Sequence, residues 1–231
     1  MTSPTIPPPA SMSVPAQETD LQTGERVGEL LYRTLRDRII SGELRPGTRL
    51  SVPALAEEFQ VSRSPVRDAV IRLVQDELAR ETMNRGAVVA RIEADELVSL
   101  YEAREALEWA AARLAAERYT PALRRRLLAL LTEHRQVAEA GDFARHIELD
   151  AAFHSEIRQA AQSPVLARML DRVQGRVLIA MRSTSLTGGM KQAVADHQAI
   201  FEALGSGDPE AAGEAARAHI SRLKELLRAA R

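Results

Sequence analysis

Val61-Ser62-Arg63-Ser64-Pro65-Val66-Arg67-Asp68-Ala69-Val70-Ile71-Arg72-Leu73-Val74 is the run on which the fold turns. Val66, Ala69, Val70, Leu73 and Val74 recur at the i, i+3, i+4, i+7, i+8 spacing of an amphipathic helix. Ser64 is placed as its N-cap and Pro65 as its first helical residue, where the missing N–H has no intrahelical partner to lose. Arg67, Ile71 and Arg72 lie off the apolar stripe. Upstream, Ser51 caps a short helix over Pro53 to Phe59 that buries Leu55, Ala56 and Phe59. Before it, Pro46-Gly47 fits a tight turn, with Pro fixing φ at the first central position and Gly allowing positive φ at the second. Val27, Leu30, Leu31, Leu35 and Ile39 mark a further helix over Arg26 to Ile40, stopped by Gly42. Downstream, Arg80 to Met83 and Ala87 to Arg91 alternate around Asn84-Arg85-Gly86 and read as a β-hairpin. Three helices followed by a hairpin are the order of a winged helix-turn-helix domain, assigned to residues 25–92.

The flanks differ in kind. Residues 1–24 form an N-terminal tail expected to be disordered, since the first twenty hold Pro4, Pro7, Pro8, Pro9 and Pro15 among Ser and Thr. From residue 93 to 231 no strand pattern occurs. Helical stripes place helices near 94–117, 122–140, 142–161, 164–185, 189–204 and 208–229, broken at Pro121, Gly141, Ser163-Pro164, Gly188-Gly189 and the Gly205 to Pro209 turn. The fold class is therefore mainly α: a winged helix-turn-helix domain followed by an all-α, six-helix antiparallel bundle.

Composition narrows the chemistry. With no Cys, disulfides, thiolate metal sites and Cys nucleophiles are excluded, leaving His and carboxylates as metal ligands. Apolar runs fall far short of the roughly 20 residues that span a bilayer. The first twenty residues carry no Lys or Arg to open a secretory signal, so a cytoplasmic protein with no membrane partner is expected. The net charge of −1 hides an asymmetry: residues 21–92 hold twelve basic against ten acidic groups, whereas 93–231 hold nineteen against twenty. So small an excess makes DNA binding depend on where particular arginines lie.

All five His lie in the helical part. Asp150 and His154 are i, i+4 neighbours on one helix face. His197 and His219 each stand eleven residues from Asp208, the centre of the last interhelical turn, and so fall at one height in an antiparallel hairpin. One carboxylate and three imidazoles from three helices suit a divalent first-row metal, with Zn, Ni or Mn as candidates. Taken singly, each His reads as a surface or satisfied core residue, and Asp150 with His154 as a helix ion pair.

Leu44-Arg45-Pro46-Gly47-Thr48-Arg49-Leu50, Leu55-Ala56, Val61 to Ala69 and Asn84-Arg85-Gly86 together resemble the DNA-binding domain of GntR-family transcription regulators. The helical remainder resembles the FCD effector domain of the FadR-type subfamily, in its shorter, VanR-like branch. Gln60 and Glu77 depart from that pattern, standing where the family usually has Gly; a non-Gly residue in left-handed conformation costs on the order of 1 kcal/mol.

The resemblance implies that Arg63 and Arg67 read guanines in the major groove. It implies that Arg85 and Gly86 at the wing tip approach the minor groove. The Ser62 and Ser64 hydroxyls and the helix-start amides suit phosphate. The alternative for these residues is a solvated face on a protein-binding unit. Metal-bearing FCD domains use an Asp-x-x-x-His pair and two later His, matched by Asp150, His154, His197 and His219; His134 and His146 match no ligand. Arg104 interrupts the stripe Leu97, Leu100, Leu107, Ala111, Leu114, with Glu108 one turn on. A buried charge needs a partner, and for Arg104 that is either Glu108 or, as the resemblance implies, the carboxylate of a small-acid effector. The expected protein is a homodimeric regulator, a repressor, that binds a pseudo-palindromic double-stranded operator with an affinity that the metal-held acid alters. The alternatives are a metal-dependent hydrolase and a pure metal sensor.

Overall fold

The computed structural model describes residues 20–82, 86–183 and 189–229, and side chains from residue 26 onward within them, those of residues 182–183 excepted. The N-terminal unit comprises α1 (Asp20–Ile40), β1 (Arg49–Leu50), α2 (Val52–Glu58), α3 (Arg63–Gln75), β2 (Ala79–Thr82) and β3 (Gly86–Val89). It is a winged helix. Leu35, Ile39, Leu50, Val66, Ala69, Leu73, Leu78 and Val89 make its core.

The strands pair antiparallel in the order β1-β3-β2, with Arg49 opposite Val88 and Thr82 opposite Gly86. The third strand, β1, is absent from the hairpin expected from the sequence. It forms because the Pro46-Gly47 turn folds the chain back onto β3. Thr48 N–H donates to the Arg45 carbonyl at 2.9 Å, Gly47 N–H to the Val89 carbonyl at 2.9 Å, and Val89 N–H to the Thr48 carbonyl at 2.9 Å. Gly47 adopts φ +86°, the left-handed value that a type II turn requires at its second central residue.

Three expectations need correcting. The cap of α3 is Ser62, in extended conformation, not Ser64; Arg63 opens the helix and Pro65 sits third. Proline is tolerated there because the first-turn N–H groups lack intrahelical partners wherever in that turn it falls. Second, α1 begins at Asp20, so residues 20–24 of the expected tail are helical; once the stripe nucleates a helix, adding residues at its end costs little. Third, Leu30 is exposed, because Leu31, Leu35 and Ile39 already fill the face turned to the core. Residues 1–19 of the tail and residues 83–85 at the wing tip, Arg85 among them, lie outside the described residues.

The second unit comprises α4 (Ala94–Glu117), α5 (Pro121–Ala140), α6 (Phe143–Ala160), α7 (Pro164–Ser183), α8 (Met190–Gly205) and α9 (Pro209–Ala229). Local chemistry sets these limits. Thr120 Oγ1 accepts from Leu123 N–H at 3.1 Å, Gly141 ends α5 at φ +76°, and Asp142 Oδ1 accepts from Arg145 N–H at 3.0 Å to start α6. Three apolar clusters fill the bundle, the smallest formed by Ala111, Ala161 and Leu170. Ala112, Ala115, Leu123, Leu127, Phe153, Ile157, Ile200 and Ala216 form another, and Leu97, Leu100, Tyr101, Val177 and Ile220 the third. On α4, α8 and α9 the polar residues of the next subsection lie between or just beyond them.

Helix α7 also packs on the winged helix. Ile179 enters its core, Arg172 Nε lies 3.1 Å from Asp76 Oδ1, and Arg176 Nη1 lies 2.6 Å from Glu77 Oε2. Arg176 also pairs with Glu96 at the start of α4, and Glu96 in turn lies 2.9 Å from Arg80 on β2. Gln60 and Glu77 adopt φ +54° and +58°, as the departures from Gly required. For Glu77 the Arg176 ion pair lies at the same position as the strain.

Gly47→Ala should destabilise the winged helix by about 1–2 kcal/mol, because Ala resists positive φ. Its Cβ would also stand 3.2 Å from Arg91 Nη2. Urea denaturation of wild type and variant measures the difference.

Candidate metal centre and nucleic-acid interface

The donor atoms of Asp150, His154, His197 and His219 all lie within 4.8 Å of one another, and all four residues are buried. Helix α6 supplies Asp150 and His154 one turn apart. His197 on α8 and His219 on α9 meet across the hairpin, ring centroids 4.8 Å apart, as their equal spacing from Asp208 requires. The rings of His154 and His197 lie 5.1 Å apart, and those of His154 and His219 5.3 Å. Asp150 Oδ1 is 3.3 Å from His197 Nε2.

The surroundings keep His219, His154 and Asp150 in ligating form. Asp196 Oδ2 accepts from His219 Nδ1 at 3.0 Å and from Arg222 Nε at 2.6 Å. That bond fixes the tautomer and leaves the lone pair on His219 Nε2, a buried atom with no hydrogen-bond partner among the described residues. Burial outweighs the help of Asp196 and pushes the His219 imidazole down to about 3, so the ring is neutral. Burial, opposed by the Glu108 charge, also favours neutral His154. For Asp150 burial works upward, but His197, His154 and the Arg104 guanidinium outweigh it and hold its carboxyl well below the usual range. Neutral imidazoles and an ionised carboxylate are the forms that bind a divalent ion. Both nitrogens of His154 and of His197 also lack well-formed hydrogen bonds among the described residues, their nearest acids standing 3.3 Å away, so the donor set fits a metal.

Arg104 is 1% exposed. Its Nε lies 3.4 Å from Glu108 Oε1 and its Nη2 4.0 Å from Asp150 Oδ2. Of the two partners weighed for Arg104, Glu108 is its ion-pair partner in the structure, and the Asp150 carboxylate is a further neighbour. Glu108 does more than pair with Arg104. Its Oε2 lies 3.3 Å from His154 Nδ1, and its Oε1 3.9 Å from Arg158 Nη1. Burial raises Glu108, yet His154, Arg104 and Arg158 together hold it at about 2.

Two histidines without an expected role adjoin the site. His134 Nε2 lies 2.6 Å from His146 Nδ1, and the His134 ring 5.3 Å from His197. Burial and the neighbouring imidazoles push His134 down to about 4; two neutral rings satisfy this contact with one donating and the other accepting. Asp196, Arg158 and His146 had readable signals; His134 had none. His146, Asp150, His154 and Arg158 are spaced i, i+4, i+8, i+12 along one buried face of α6, and Asp196 precedes His197 in the hairpin register.

On the winged helix, Ser62, Arg63, Ser64 and Arg67 are exposed around the first turn of α3, and Val66, Ala69, Val70 and Leu73 are buried behind them. Ile71 continues the Arg63–Arg67 row one turn on and is 43% exposed, an apolar contact that the stripe analysis left without a task. Gly86 is exposed at the wing, with φ +82°.

A family model described as bacterial regulatory proteins of the gntR family matches residues 28–89, and one described as the FCD domain matches residues 99–222. The HTH-type transcriptional regulator LutR of Bacillus subtilis is 30% identical over 211 residues, 82% of this chain and 95% of the relative. The HTH-type transcriptional repressor RspR of Escherichia coli is 29% identical over 212 residues, 91% and 93%. Among solved structures, a putative GntR transcriptional regulator from Rhodococcus sp. RHA1 superposes with a TM-score of 0.72 at 26% identity, covering 91% of this chain and 99% of that one. E. coli McbR/YncC shares the fold with a TM-score of 0.76 at 24% identity, covering 87% and 97%.

Glu108→Ala should cost about 3–5 kcal/mol, since it leaves Arg104 and Arg158 buried without their shared partner. The single Trp of the chain, Trp109, lies beside it on α4, so Trp fluorescence during urea titration reads the loss in the helical domain.

Proposed function

Because this chain belongs to the gntR family of bacterial regulatory proteins and carries an FCD domain, we propose that its helical domain holds a divalent metal and a small organic acid that together govern operator binding. The protein is a DNA-binding transcription regulator, and the families and relatives it matches are regulators, not enzymes, which decides against the hydrolase reading. The observation that carries the rest is the convergence of four buried donors within 4.8 Å inside a domain joined to a winged helix.

Asp150, His154, His197 and His219 would hold Zn, Ni or Mn. A bound ion would supply a Lewis-acid centre for a chelating hydroxy- or keto-carboxylate. Arg104 orients the acid through its guanidinium fork. Asp196 holds the His219 ring in register. A reading as a pure metal sensor leaves the buried Arg104 Nη2, which lacks a hydrogen-bond partner among the described residues, without a task.

At the operator, Arg63 and Arg67 read base edges in the major groove, Ser62 and Ser64 bind phosphate, and Arg85 with Gly86 approaches the minor groove. Ile71, on the same row, suits a thymine methyl group. The chain acts as a cytoplasmic homodimer on a pseudo-palindromic site. Repression is the favoured sense, since the similar RspR is named a repressor.

Arg67→Ala should cost roughly 1–3 kcal/mol on operator and much less on scrambled DNA at fixed salt. Equal losses on both, in a shift assay, would reduce Arg67 to a phosphate contact. Tag-free protein should contain one divalent ion per subunit by elemental analysis. His197→Ala or His219→Ala should lose it while scrambled DNA binding is kept, and full metal retention in both variants sinks the metal assignment.

A further inference from the structure

The buried layer holds more cationic capacity than its own acids use. Glu108 Oε1 is shared between Arg104 Nε at 3.4 Å and Arg158 Nη1 at 3.9 Å. Arg104 and Arg158 are only 1% and 7% exposed, yet Arg104 Nη2 and Arg158 Nη1 have no hydrogen-bond partner among the described residues. A guanidinium carries five N–H donors, and one carboxylate between two such groups satisfies few of them.

Gln174 on α7 joins them. It is 3% exposed, and neither its amide oxygen nor its amide nitrogen has a hydrogen-bond partner among the described residues. Leu170 packs with Ala111 of α4, and Val177 with Leu97, Leu100 and Tyr101. Gln174, between them on α7, therefore faces α4 at the level of Arg104 and Glu108. Together Arg158 and Gln174 line the inner wall of a cleft of about 1070 Å³ between the helical domain and the winged helix. Arg158, which also reaches Glu108, is the point at which this end of the layer meets that cleft.

The charges point the same way. Among the described residues Glu108 and Asp150 are the buried carboxylates that face the Arg104 and Arg158 guanidinium groups, so a divalent ion adds positive charge that no further buried carboxylate offsets. Asp171, 3.8 Å from Arg158 Nε, is 58% exposed and is screened by water. Uncompensated charge at this depth is strongly unfavourable.

On the reading that this domain binds a metal and an acid, we propose that the effector is a small dicarboxylate, with one acid group held beside the metal ligands and Arg104 and the second by Arg158 and Gln174. It enters through the cleft between the domains. A monocarboxylate satisfies only the first half of this site.

The test is calorimetric titration of the full-length, zinc-loaded protein with two matched pairs, lactate against malate and acetate against malonate. Lactate and malate share an α-hydroxy acid head and differ by the second carboxylate. The dicarboxylate of each pair should bind at least about tenfold more tightly, the scale of one added charge-assisted hydrogen bond. Arg158→Met should collapse that ratio. Gln174→Glu, which keeps the shape and adds a negative charge, should reverse it, and it decides the matter if the arginine variant does not fold. Arg104→Met should weaken both members of each pair, and unchanged affinities there would overturn the assignment of the first acid group. Monocarboxylates binding as tightly as their partners, or a preference that survives in both the Arg158 and Gln174 variants, would overturn the dicarboxylate inference and leave the acid reading standing. No binding by any of the four acids would overturn both.

Discussion

Burying Arg104, Glu108, Asp150, His154, His197 and His219 in one layer costs a desolvation penalty that mutual pairing must offset. The bundle achieves this by bringing four helices to one height: α4 brings Arg104 and Glu108, α6 Asp150 and His154, α8 His197, and α9 His219. Each group then has an opposite or neutral neighbour within about 4 Å. The apolar clusters flank this layer, and Phe153 of one of them stacks on His197 with ring centroids 4.4 Å apart. A shift of one helix by a single turn, about 5.4 Å, would drive a charge into an apolar cluster. The polar layer thus fixes the register of the bundle more strictly than an all-apolar core, which tolerates repacking.

The same layer explains why the site was partly legible. His197 and His219 were readable because their equal distance from one turn is a geometric fact of any hairpin, whatever the sequence around it. Asp150 and His154 were readable from i, i+4 spacing. Arg158 and His146 extend that row, but a long polar row on a helix ordinarily means a solvated face, and only packing by α4, α5 and α7 turns it inward. His134 and Gln174 lie on helices that give no such pattern, since what surrounds them is set by tertiary contact.

The winged helix shows the same division. The α3 stripe and the Pro46-Gly47 turn follow from local rules. Strand β1 does not, because a two-residue strand carries no periodicity and exists only by pairing with β3. The start of α3 was misplaced by two residues because Ser62 and Ser64 are equally good caps in sequence. Neither the extended conformation of Ser62 nor the helical one of Ser64 can be read without the loop that precedes them.

Helix α7 faces two ways. Gln174 turns toward the charged layer, while Arg172, Gly175, Arg176 and Ile179 turn toward the end of the recognition helix and its core. Gly175 sits so near the winged helix that a Cβ there would stand 3.0 Å from Leu78 Cδ2. The two domains therefore share a fitted seam and are not independent modules on a tether. Grafting a foreign winged helix onto this bundle would have to carry the partners of that seam with it, a small side chain at position 78 or Gly at 175, and acids to meet Arg172 and Arg176. Domain shuffling within such proteins is accordingly constrained at the joint as strongly as at either binding surface.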